Sequence, residues 1–105
     1  VAARVYRNED VRRLIAFIPE GHTHIRLVVE LKDQTLILQE ATVAAIVRAY
    51  VSVATHPLRR AVELRLTELE ERKPLYARHQ LVETSRSEAE VLGEAQELWI
   101  KAERA

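Results

Sequence analysis

Cysteine and methionine are absent from this chain of 105 residues, which also has only two glycines, three prolines and one tryptophan. Without cysteine, neither a disulfide framework nor a thiolate metal site can form. Glycine at positions 21 and 93 alone excludes Walker and dinucleotide-binding loops, whose backbones need several glycines to approach phosphate. The serines, at 52, 85 and 87, stand in no Gly-x-Ser-x-Gly elbow, so nucleophilic hydrolysis lacks its usual framework. An excess of charge is missing too. Lys plus Arg and Asp plus Glu both number 16, so the whole chain offers no electrostatic footprint for nucleic acid or an anionic membrane. Locally the balance tilts: residues 1–60 are slightly basic and residues 61–105 slightly acidic, which suits head-to-tail packing.

Long apolar runs are also lacking. The longest, ATVAAIVRAYVSVA over 41–54, is interrupted by Arg48 and would span about 21 Å as a helix, against ~30 Å for a bilayer core. Residues 1–18 contain no uninterrupted apolar segment of the signal-peptide kind. These features predict a cytoplasmic protein without a membrane partner. Thirteen arginines, a single asparagine and the missing methionine make a thermophile-like composition.

What is present is globular: 48% hydrophobic and 30% charged residues in a length that holds one core. The prediction is one α+β domain over 1–105. Asn8 as N-cap, Glu9 and Asp10 behind it, and Val11, Leu14, Ile15 and Ile18 predict a short helix over about 9–18, stopped by Pro19. HIRLVVEL then alternates, with Ile25, Leu27, Val29 and Leu31 on one side. It predicts a strand at about 24–31, turning through Lys32–Gln34 into a second strand at 35–39.

The run at 41–54 predicts a helix over about 41–55 with an unusually wide apolar face. Val43, Ile46, Val47, Tyr50, Val51 and Val53 fill about 160° of the wheel, against the ~100° of an ordinary surface helix. Arg48, Ser52 and Thr55 form a narrow polar seam. His56-Pro57 breaks the helix. Leu58, Val62, Leu66 and Leu69 predict another over about 57–72, with Arg59–Glu63 and Glu68–Arg72 as pairs on its wet side. Segment 75–84 reads as either an edge strand or a connector. Ser87 with Glu90 forms a capping box for a last helix over about 87–104. The predicted core is Leu27, Val29, Leu36, Val43, Ile46, Tyr50, Leu58, Val62, Leu98 and Trp99.

Three functional readings follow. The wide apolar face exceeds what so small a domain can cover, so Val43, Ile46, Val47, Tyr50 and Val51 are the expected interface of a homo-oligomer, a dimer in its simplest form. The expected role is that of a non-catalytic, self-associating interaction module, with no cofactor and no small-molecule ligand indicated. A nucleic-acid alternative takes Arg48, Arg59 and Arg60 as the phosphate-binding surface and the break at 55–57 as the turn of a helix-turn-helix. Against it, Glu63, Glu68, Glu70 and Glu71 would line the recognition helix and repel the backbone. The weakest reading is a metal-dependent enzyme. His22 and His24 share a strand face and could begin a metal site, which needs a third ligand and usually a fourth.

Overall fold

The computed structural model describes residues 2–70 and 77–104. A single 3-10 turn at Asn8–Asp10 leads into β1 (Val11–Phe17), followed by β2 (Arg26–Leu31) and β3 (Thr35–Gln39). Helix α1 (Glu40–Ala54) comes next, then β4 (Leu64–Glu68), β5 (His79–Glu83) and helix α2 (Glu88–Arg104). Strands β1, β2 and β3 make one antiparallel sheet in that order, and β4 with β5 makes a second. The fold class is α+β, with two sheets and two α-helices among the described residues.

The hairpin and two of the helices lie where the pattern places them. Leu27 pairs with Leu38 and Val29 with Leu36. The turn closes on the Leu31 N–H, which donates to the Gln34 carbonyl at 2.8 Å. Helix α1 ends at Ala54, and the Thr55 N–H donates to the Val51 carbonyl at 3.0 Å before His56-Pro57. For α2, the Ser87 hydroxyl accepts the Glu90 N–H at 3.2 Å and donates to the Glu90 carboxylate.

Two expected helices are strands. Segment 9–18 forms the 3-10 turn and β1, with Leu14 opposite Val29 and Ile15 opposite Val28. The physical reason is that this sheet is apolar on both faces. Rows Leu14–Val29–Leu36 and Ala16–Leu27–Leu38 lie on one face, and Ile15–Val28–Ile37 lies on the other. Consecutive apolar residues such as Leu14-Ile15 therefore point opposite ways, and the pair imitates helical spacing. Asn8 caps no α-helix. Between β1 and β2, the His22 N–H donates to the Pro19 carbonyl at 3.0 Å, and Gly21 takes φ +80, as the third position of a type II turn requires.

Segment 57–70 contains β4 rather than a helix; the last residues of the expected span, 71 and 72, lie outside the described residues. Val62, Leu64 and Leu66 alternate with Glu63, Arg65 and Thr67, and pairing of Leu64–Glu68 with His79–Glu83 selects that period over the helical one. Arg59 and Glu63 consequently form no helical pair. Arg59 reaches Glu83, while Glu63 accepts from Arg86 at 3.0 Å. Glu68 pairs with Arg78 at 3.5 Å. Of segment 75–84, the part from 79 to 83 is strand β5, and residues 75 and 76 lie outside the described residues.

Several carboxylates are held ionised by the fold. The Ile25 N–H donates to Glu40 at 2.9 Å and, with His24 beside it, keeps that carboxyl below its ordinary value of 4.5. The Thr84 hydroxyl does the same for Glu63, aided by Arg65 and Arg86, and Arg86 does so for Glu94. A folded value below the unfolded one means that the stabilisation is fully present above about pH 4.5 and is lost as pH falls through the lowered values. Thermal melts followed by circular dichroism should therefore hold steady from neutral pH to about 5, then fall towards pH 3. Glu40→Gln should lower the melting temperature at neutral pH and soften the acid limb. An acid limb identical to that of the parent chain would remove Glu40 from this account.

Candidate self-association surface

Helix α1 packs against β2, β3 and β5, and it does so with its smallest side chains. Ala41, Ala45, Ala49 and Ser52 follow one another at helical spacing on the covered side. Ala45, at 1% exposure, is the one fully buried residue among those described. Alanine lets the helix axis sit close to the strands. The large residues point away: Ile46 is 52% exposed and Tyr50 71%, with Val47 and Val51 similarly open. Val43, at the edge of this surface, is half-buried. The residues of the predicted interface thus lie together on one outward face.

The polar seam is divided: Ser52 is half-buried towards the second sheet, while Arg48 and Thr55 are exposed at its edge. An Arg48 guanidinium N–H donates to the Leu81 carbonyl of β5 at 3.0 Å, and Arg59 donates to the Ser52 hydroxyl at 2.6 Å and also bonds Glu83. These contacts line an open groove of about 280 Å³ between α1, β4 and β5, whose walls include Val62 and Leu64. Its polar groups face one another across the gap and tie the second sheet to the helix. Arg48 and Arg59 therefore serve the fold, while Arg60 is exposed and its backbone N–H donates to Glu88 at 2.9 Å. Strand β4 stands where a recognition helix would be, so the helix-turn-helix geometry is absent. His22 is exposed in the turn, and His24 Nδ1 lies 3.0 Å from the Glu40 carboxylate. Among the described residues, no three His, Cys, Asp or Glu side chains gather closely enough to hold a metal ion.

The predicted core is correspondingly thin. Leu27, Val29, Val43 and Val62 are half-buried, whereas Leu36, Ile46, Tyr50, Leu58, Leu98 and Trp99 are exposed. A compact monomer of 12.1 kDa exposes about 6,000 Å² of surface and has a radius of gyration near 13 Å. This chain exposes 8571 Å², with a radius of gyration of 15.8 Å. The chain therefore exposes roughly 2,500 Å² more than a compact domain of its mass.

Sequence reasoning missed one surface. Among the described residues, helix α2 shares no extensive packing with any other element, although Leu98 and Trp99 on it belong to the predicted core; Val91, Leu92 and Ala102 on the same helix are half-buried. Periodicity identifies an apolar face but not what covers it. No helix among the described residues is long and apolar enough to cross a membrane. The chain matches no known family model, and neither a curated protein nor a solved structure resembles it. Its own geometry is the guide to its function.

Proposed function

We propose that this protein is a self-associating module, a homo-oligomer and in its simplest form a two-fold dimer, with the outward face of α1 in the interface. One observation carries the reading: α1 turns Ala41, Ala45 and Ala49 to the strands and exposes Ile46, Val47, Tyr50 and Val51. A helix whose large apolar side chains all met solvent would forfeit the main driving force for folding, since each buried Val, Leu or Ile contributes about 1.5–3 kcal/mol. Arg48 and Arg59 are engaged within the chain, which favours a protein partner over nucleic acid. An isologous arrangement needs no second gene product and places the same patch on both sides.

Light scattering on the eluting protein, over about a hundredfold dilution range, tests this directly. The expected mass is twice that of the chain or a higher multiple, falling towards 12.1 kDa only at the lowest concentrations. A folded monomer at every concentration would sink the reading. Duplex DNA or RNA serves as the control, and salt-sensitive binding lost in an Arg48→Ala/Arg60→Ala chain would move the function to the alternative class.

A further inference from the structure

We infer that two copies of this chain pair through the outer edge of β3, antiparallel and two-fold about Ile37, joining their three-stranded sheets into one. This deepens the self-association reading and rests on it. The observation behind it is the strand itself. Thr-Leu-Ile-Leu-Gln over 35–39 carries no charge and has the same pattern in both directions: polar, leucine, isoleucine, leucine, polar. An open sheet edge invites pairing, and it is ordinarily guarded by charge, proline or a bulge. The other edges here are guarded or occupied. Strand β1 has Arg12, Arg13 and a bulge between Val11 and Arg13, and β4 has Arg65 and Glu68. On β5, Arg48 already takes the Leu81 carbonyl.

The backbone of β3 presents the matching groups. Leu31 and Gln34 close the hairpin as a hydrogen-bonded pair, and bonded pairs alternate from there with unbonded ones. Leu36 and Leu38 therefore bond Val29 and Leu27 of β2, while Thr35, Ile37 and Gln39 turn their N–H and C=O groups outward. Among the described residues no other backbone group bonds Thr35 or Ile37 on that side. The Gln39 carbonyl opens α1, which leaves its N–H free. Across a two-fold axis at Ile37, the two copies of that residue exchange both their bonds, and each Gln39 N–H meets the Thr35 carbonyl of the other copy.

Side chains match in the same register. Leu36, 39% exposed, comes opposite Leu38 of the other copy, and Ile37, 64% exposed, comes opposite itself. The apolar row Ile15–Val28–Ile37 then runs on without a break into its own image. A foreign strand could meet the backbone groups, but a second copy meets the side chains too, apolar on apolar and polar on polar, with no charge stranded at the seam. The axis stands perpendicular to the sheet. Both α1 helices, each packed against β2 and β3, therefore lie on the same side of the joined sheet.

Amide hydrogen exchange read residue by residue by NMR tests the pairing in the unaltered chain. The Leu36 and Leu38 amides should be protected at every concentration. Those of Ile37 and Gln39 should slow by about tenfold or more only where light scattering reports association. Two variants give an independent reading. Ile37→Lys and Ile37→Glu chains, changed at an exposed position, should each keep the parent's circular dichroism and stay monomeric, because like charges meet at the axis. Mixed, they should associate, since opposite charges then face each other. Association with the Ile37 and Gln39 amides still exchanging freely overturns the β3 pairing and leaves self-association through α1 standing. So does either variant associating alone like the parent, or a mixture no more associated than its parts. A wild-type monomer removes both.

Discussion

A glutamate in place of Ile46 is expected to weaken self-association by a factor of about 10² to 10³ without unfolding the chain. Ile46 sits on the outward face of α1, 52% exposed in the single chain, so the charge is harmless to one copy in water. In a two-fold dimer the substitution acts twice, and truncating or charging a central contact residue typically costs about 2 kcal/mol or more on each side. Two such losses correspond to roughly three orders of magnitude in the dissociation constant. The measurement pairs light scattering with circular dichroism on the same samples. A monomer with the parent's helical signal places Ile46 at a subunit contact. An Ile46→Glu chain that unfolds from a monomeric parent would show instead that the residue belongs to an internal core, and the proposed function would lose its main support.

The second large effect falls on the smallest side chain of the helix. Ala45→Leu should destabilise the protein by about 1–3 kcal/mol, the usual result of forcing extra methylene groups into a filled space. Ala45 is 1% exposed, with α1 resting on β2, β3 and β5. A leucine there would push the helix off both sheets and strain the Arg48–Leu81 and Arg59–Ser52 contacts together. The control is the neighbouring Ala44→Leu, at an exposed position, where the change should stay within about 0.5 kcal/mol. Thermal melts at matched protein concentration separate the two, since a loss of 1 kcal/mol lowers the midpoint by about 4–8 °C in a domain of this size. Equal effects at 44 and 45 would mean that the alanine stripe is not the packing surface.

These two predictions mark where the chain can be read from its residues and where it cannot. The hairpin 26–39 and the helices 40–54 and 88–104 follow from local signals: Leu27, Val29 and Leu31 alternating with Arg26 and Glu30, alanine-rich helical spacing, a proline stop and a serine cap. Strands β1 and β4 were read as helices because their apolar residues satisfy two periods at once. Leu14-Ile15 belong to opposite faces of a sheet that is apolar on both, and Val62 with Leu66 fit helical spacing as well as alternation. Only the partner strand decides, and a pairing such as Arg13 with Glu30 is not a local property. The apolar width of 41–54 was legible. Which side faces inward was not. Hydrophobicity argues that the larger residues go inside, but close approach to the strands selects alanine, and that steric preference appears only once the helix has something to lie on.

The near-absence of a private interior, with Ala45 alone fully covered among the described residues, bears on how such a chain reaches its native state. If the outward helix face meets its cover on another molecule, its burial waits on an encounter between folded chains, and the rate of that final step scales with the number of chains nearby. A newly made copy would wait, folded but with that face open, for a sister chain. Synthesis of neighbouring copies from one message would then matter to this protein as much as the order of residues within it.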